Sequence, residues 1–248
     1  MDYKKVLMEA VNAVLPPACP MCGKPAPFVG GIRADICGSC MHNINYVSEP
    51  ACLKCGKPVK DEETEYCSDC RQHPKNFERG MGLCIYQKPV TNSLAAIKYK
   101  NERKFAKYYL EEIQKRKYRD LLQLKIDVII PVPIHRKKRR KRGFNQAEIF
   151  ANGIAEMLNK PMYTKIVERI HDTKPQKQLN PGERKSNLKK AFRGNLKEYQ
   201  RAGMPKRGLL VDDIYTTGST AEAVTVALKQ LGIREVYVFC IAIGKGFS

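Results

Sequence analysis

Two groups of residues in this 248-residue chain have the types and spacing to do chemistry. Eight of the ten cysteines lie between Cys19 and Cys70, always as C-x-x-C: Cys19/Cys22, Cys37/Cys40, Cys52/Cys55 and Cys67/Cys70. Two thiolates two residues apart can clasp one tetrahedral ion from a tight turn, and a second pair closes the site. In a reducing compartment such pairs read as zinc ligands rather than disulfides. The segment Cys19-Pro-Met-Cys22-Gly23-Lys24-Pro25 recurs 33 positions later as Cys52-Leu-Lys-Cys55-Gly56-Lys57-Pro58. Each copy ends in a second pair, after intervals of 14 and 11 residues. Two successive zinc ribbons are the economical reading, and an interleaved pairing, first with third and second with fourth, stays open. His42 and His73 follow the second knuckle of each copy, where four thiolates already suffice. Four sulfurs leave no open coordination position, so both metals are expected to be structural. They would fold a segment, Ala18 to Gln72, with almost no aliphatic core, supplying roughly 10–16 kcal/mol per site. Cys84 and Cys240 stand alone in apolar, strand-like runs and are expected to be buried core thiols.

The second group is Leu209-Leu-Val-Asp212-Asp213-Ile-Tyr-Thr216-Thr217-Gly218-Ser219-Thr220. It reads as a buried strand with two carboxylates at its C-terminal end, then a hydroxyl- and glycine-rich turn, then a helix. Backbone N–H groups and hydroxyls at a helix N-terminus form an anion site. Open α/β sheets bind ligands outside the carboxyl ends of their strands. Carboxylates do not bind phosphate, so a ligand touching both parts must carry hydroxyls or a cation beside its phosphate. A ribose 5-phosphate meets that requirement. A nucleoside triphosphatase would need G-x-x-x-x-G-K-[ST], which this chain lacks.

The elements that position these groups follow from periodicity. Gly82–Gln87 reads as a strand, Asn92–Ile97 begins a helix, and Phe105–Tyr109 with Ile113 lie on one helical face. Ile126–Val132 is a continuous apolar run ending at Pro131 and Pro133, which suits a buried parallel strand. Asn145 and Glu148 form a capping-box pair ahead of the stripe Ala147, Ala151, Ile154 and Leu158. Leu209–Val211 is another strand, Thr220–Leu231 a helix closed by Gly232, and Glu235–Ile243 the last strand. The pattern predicts an α/β fold, a parallel sheet flanked by helices. The expected organisation is an N-terminal helix and double zinc-ribbon module over residues 1–75, then an α/β domain over 76–248.

Charge points the same way. Forty-five Lys plus Arg against 25 Asp plus Glu give a net +20, a field that attracts phosphates. Seven consecutive cations, Arg136, Lys137, Lys138, Arg139, Arg140, Lys141 and Arg142, follow the Pro131–Pro133 turn. Between Lys165 and Arg207 there are 13 basic and 4 acidic residues. Such runs bind nucleic-acid backbones without base contacts. Tyr86, Tyr99 and Phe144 are available for stacking. The run Val236–Ile243 is too short to span a bilayer, so no membrane insertion is expected. Met1–Leu15 contains Asp2, Lys4, Lys5 and Glu9 with no continuous apolar core, which predicts a cytoplasmic protein without a secretory signal.

The Asp212–Thr220 segment resembles the 5-phosphoribosyl-1-pyrophosphate (PRPP) signature of type I phosphoribosyltransferases. Together with Pro131-Val-Pro133, Arg142-Gly143-Phe144-Asn145-Gln146 and the stretch from Arg169 through Gln176, Glu183, Arg184 and Asn187 to Phe192, it resembles the ComF family. Those are late-competence proteins with a phosphoribosyltransferase-type domain, often preceded by a zinc ribbon. The resemblance implies a type I phosphoribosyltransferase-like sheet and a part in natural transformation, handling incoming single-stranded DNA beside a helicase or uptake machinery. It implies that Asp212 and Asp213 hold the ribose hydroxyls and are the catalytic candidates, and that Thr216, Thr217, Gly218, Ser219 and Thr220 hold the 5′-phosphate. Pyrophosphate with Mg²⁺ would face the basic stretch, Arg136 and Arg142 included, while Lys98 and Lys100 would add phosphate contacts. Residues 170–187, with Gln176 and Arg184, would form a lid. A true phosphoribosyltransferase with an unidentified acceptor, or a PRPP-sensing regulatory domain, are the other readings of the same residues.

Overall fold

The computed structural model describes residues 18–26, 28–29, 32–33, 36–171 and 191–246. The candidate lid residues Gln176 and Arg184 lie outside them. The ribbon region opens with a short antiparallel pair, β1 (Phe28–Val29) and β2 (Ile32–Arg33). Two short helices follow, α1 (Gly38–Asn43) and α2 (Ser68–Gln72), each starting directly after a zinc-knuckle cysteine, Cys37 and Cys67. The sheet begins at β3 (Gly80–Ile85), two residues earlier than the apolar pattern suggests. Helices α3 (Val90–Lys100), α4 (Ala106–Arg116) and α5 (Tyr118–Gln123) lead to β4 (Val128–Pro131). The basic run after the Pro131–Pro133 turn forms a helix, α6 (Arg136–Arg142). Helix α7 (Gln146–Leu158) precedes the hairpin of β5 (Val167–Arg169) and β6 (Phe192–Gly194). Helix α8 (Leu196–Arg201), β7 (Arg207–Tyr215), α9 (Ser219–Leu231) and β8 (Glu235–Ile243) complete the chain.

The main sheet is fully parallel in the order β3-β8-β7-β4. Residues 161–163 extend it beyond β4: Ile129 donates its N–H to Pro161 and accepts from Tyr163, both at 3.0 Å. Buried on both faces, the strands carry continuous apolar runs such as Val128–Pro131 and Leu209–Val211 rather than alternating. One core holds the inward faces of α3, α4, α5 and α7 with Leu209, Val211, Phe239 and Ile241. The other holds α9 with Val128, Ile130, Leu210 and Val238. Cys84 and Cys240 are buried, as expected of core thiols, and burial pushes Cys84 up to about 12.

The two ribbons pack into opposite cores. Cys19, Met21, Ile36, Cys40 and Ile44 belong to the first, with the Tyr109 hydroxyl 3.6 Å from the Met21 sulfur. Cys52, Cys55, Val59, Cys67 and Cys70 belong to the second. Gly56 shows why glycine follows the knuckle there. Its φ is +75°, and a Cβ would sit 2.6 Å from the Gly80 carbonyl oxygen. That close approach seats the second ribbon on the first strand of the sheet. The segment between the ribbons also pairs with β3: Val47 donates to Leu83 (2.9 Å) and Ile85 to Asn45 (2.8 Å). Among the described residues no helix is long and apolar enough to cross a membrane.

Candidate functional site

Chain direction fixes where a ligand would sit. From β4 the chain leaves through α7, on the face of the first core. From β7 it leaves through α9, on the face of the second. The carboxyl ends of neighbouring strands β4 and β7 therefore diverge, and such a switch point opens a crevice. The two strands stay paired to Pro131 and Val211, and Val132 donates to the Val211 carbonyl at 2.8 Å. Asp212 and Asp213 come next. Strand β7 runs on to Tyr215, four residues past the apolar segment that marks it in the sequence, because β8 goes on pairing with it at Cys240, Ala242 and Ile243. The carboxylates thus lie inside the second half of a strand rather than beyond its end.

Both acidic side chains are half-buried, and their surroundings differ. Burial, then the neighbouring Asp213 charge, pushes the Asp212 carboxyl well above the usual carboxylate range, with Lys98 opposing. One Asp212 oxygen accepts from the Asp213 backbone N–H at 2.8 Å. The Lys98 ammonium, from the last turn of α3, stands 3.9 Å from the Asp213 carboxylate. Lys98 therefore does reach the site, beside the acidic pair, whereas Lys100 is exposed to solvent.

The turn after β7 gathers hydroxyls at the N-terminus of α9. Gly218 adopts φ +73° as the residue preceding α9, and the Thr217 hydroxyl lies 2.8 Å from that of Ser219. Thr216 and Thr217 are exposed, while Ser219 and Thr220 are half-buried in the first turn of α9. Beneath the turn lies Tyr215, a residue whose part the sequence reading missed. Its hydroxyl would meet a Gly218 Cβ at 2.1 Å. Its ring packs edge-on against Phe77 at 6.4 Å and faces the Lys57 ammonium at 6.0 Å. Lys57 in turn pairs with Asp69 of the second ribbon. The only sequence signal was an aromatic residue between the acidic pair and the threonines. Gly218→Ala is accordingly expected to cost about 1–3 kcal/mol, from the left-handed φ and the clash with Tyr215. A urea midpoint equal to that of wild type would contradict this.

Asn145 and Gln146 prove to be scaffold. The Asn145 side chain accepts from Ala147 N (3.3 Å) and donates to the Val132 carbonyl (2.9 Å), riveting α7 to the end of β4. Gln146 donates to the Leu94 carbonyl at 3.2 Å. Glu148 does not complete the capping box, because Arg139 of the basic helix holds its carboxylate. Arg136, Lys137, Lys138, Arg139, Arg140 and Lys141 are exposed, and Arg142 is half-buried. A cavity of about 690 Å³ lies beside this helix, lined by His135, Arg136, Arg139, Glu148, Lys165 and Arg169 among others. Neither Asp212 nor Asp213 lines it.

The cysteines form two successive four-thiol clusters, Cys19/Cys22/Cys37/Cys40 and Cys52/Cys55/Cys67/Cys70, which settles the pairing left open by the sequence. Within each, all sulfurs lie within 4.8 Å of one another. Four ligands at about 2.3 Å around a tetrahedral zinc stand about 3.8 Å apart. Cys22 and Cys37 are separated by 3.8 Å, and Cys55 and Cys67 by 3.6 Å. The clusters fit Zn²⁺, and neither includes His42 or His73.

Residues 10–71 match the double zinc ribbon domain. Over 182 residues the chain is 30% identical to the DNA utilization protein YhgH of Salmonella typhimurium, covering 71% of this chain and 76% of that protein. It is 29% identical to competence protein F of Haemophilus influenzae, covering 72% and 78%. It is 25% identical over 194 residues to competence protein ComFC of Streptococcus pneumoniae, covering 74% and 77%. Among solved structures, a purine phosphoribosyltransferase from Pyrococcus horikoshii aligns with a TM-score of 0.33 at 20% identity, covering 55% of this chain and 73% of that one.

Proposed function

Because the chain belongs to the ComF family of competence and DNA-utilization proteins, we propose that it binds PRPP or a related ribose phosphate at the β7–α9 turn and single-stranded DNA on its basic surface. The carrying observation is the meeting, at the switch point of the sheet, of a carboxylate pair with a hydroxyl-lined helix N-terminus. Asp212 and Asp213 would hold the ribose hydroxyls, with oxygen donors suited to a Mg²⁺ carried in with the pyrophosphate. Thr216 to Thr220 would take the 5′-phosphate. Lys98 would neutralise charge beside the sugar, and Arg142 at the end of α6 would face the pyrophosphate. The remaining cations of Arg136–Arg142 exceed what one pyrophosphate can use and would track a DNA backbone in the cytoplasm. Transfer to an acceptor, if the protein is also an enzyme, would be seen as pyrophosphate release.

Two titrations test this reading on the zinc-loaded chain. Mg²⁺–PRPP at about 100 times its dissociation constant should stabilise the fold by about 2.7 kcal/mol, seen as a rise in Tm of roughly 5–10 °C. Binding of a single-stranded oligonucleotide should weaken with salt. Replacing three cations of α6 with alanine should flatten the slope of log K against log salt by about 2, at roughly 0.7 per lost phosphate contact. A melting curve indifferent to PRPP removes the first half of the proposal, and a salt slope unmoved by the triple variant removes the second.

A further inference from the structure

The C-terminal ends of two helices meet beside the acidic pair, and each supplies a cation to a ring on the other. Arg142, the last residue of α6, lies over the Tyr99 ring of α3 at 5.8 Å. Arg103, just past α3, lies over the Phe144 ring just past α6 at 4.2 Å, and Asn101 holds its Nε at 2.8 Å. Cations at helix C-termini are favoured by the helix dipole, so both arginines are held where the rings are. The two rings differ in one respect. Phe144 is 7% exposed and serves the core, whereas Tyr99 is 75% exposed, the largest value among the exposed large hydrophobic side chains of the described residues. Lys98 completes the arrangement, with its ammonium 5.7 Å from the Tyr99 ring centre and 3.9 Å from Asp213. A ring left in water between two cations has no packing role to explain it. It does have the composition that stacks a base and neutralises the phosphates on either side.

We propose that Tyr99, flanked by Lys98 and Arg142, is a stacking shelf for one nucleobase of single-stranded DNA, at the rim of the sugar-phosphate site. This rests on the DNA-binding half of the function proposed above. The shelf predicts recognition without sequence preference, since every base offers a face to the ring. It also predicts that a strand lacking its bases gains nothing from Tyr99.

The test uses fluorescence anisotropy on the full-length, zinc-loaded protein, with an oligothymidylate and an abasic strand of equal length and charge. Tyr99→Ala should bind the oligothymidylate about five- to hundredfold more weakly than wild type, bind the abasic strand equally well, and melt at the wild-type temperature. Tyr99→Phe should bind both strands as wild type does. If Tyr99→Ala binds the oligothymidylate as tightly as wild type, the shelf is wrong while DNA binding stands. If wild type binds neither strand at low salt, the DNA reading itself fails and takes the shelf with it.

Discussion

Stripping the metal from the second cysteine cluster is expected to unfold the whole chain. Structural zinc contributes roughly 10–16 kcal/mol per site, while domains of ordinary size are stable by only about 5–15 kcal/mol. All four thiols of that cluster are buried, and they share a core with Val128, Leu210, Val224 and Val238. A strong chelator, or Cys55→Ser, should therefore abolish the cooperative melting transition followed by circular dichroism. Elemental analysis of the untreated protein should find two zinc ions per chain. A chelated protein that still melted cooperatively near the wild-type temperature would show that the sheet stands without its ribbon.

The second large effect concerns Asp212, where stability and ligand binding should move in opposite directions. Its folded carboxyl titrates well above the unfolded value, first because it is buried and then because Asp213 is charged. A group of this kind favours the folded state fully below its unfolded pKa, near 4, and that support is lost as pH rises through its folded pKa. Once ionised, the buried group thus works against folding. Asp212→Asn should relieve on the order of 1–2 kcal/mol and raise Tm by about 2–8 °C. The same change removes a charged partner from the ribose hydroxyls and should weaken Mg²⁺–PRPP roughly ten- to hundredfold. The gain should shrink as the wild type is melted at progressively lower pH, where Asp212 is already protonated. A variant that melts below wild type at pH 7, or still responds to PRPP at wild-type concentrations, would contradict the account.

Much of this was legible in the sequence. Apolar runs such as Ile126–Val132 and Glu235–Ile243 read as strands because a sheet covered on both faces needs no alternation. The zinc clusters were legible because C-x-x-C is a local constraint, although which pairs close together is a long-range matter. The length of β7 was hidden, because polar Asp212 and Asp213 break the apolar pattern while β8 continues to pair with them. The helical state of the basic run was not read from the sequence, where the run simply follows the Pro131–Pro133 turn. It forms a helix because His135 caps it, its side chain accepting from Lys137 N, and Gly143 closes it with φ +81°. Tyr215 and the Tyr99–Arg142 contact join residues far apart in the chain, and periodicity carries no information about such meetings.

The seating of one ribbon on each side of the sheet has a consequence for anyone trimming this protein. Cutting before β3 would not release a free-standing α/β core from a removable tag. It would peel both flanks at once, baring Leu83 and Tyr109 to solvent and leaving Tyr215 without Phe77 and Lys57 beneath the threonine turn. Expression of the α/β half alone should therefore yield sticky, poorly folded material, and minimal versions of the protein must begin ahead of Cys19.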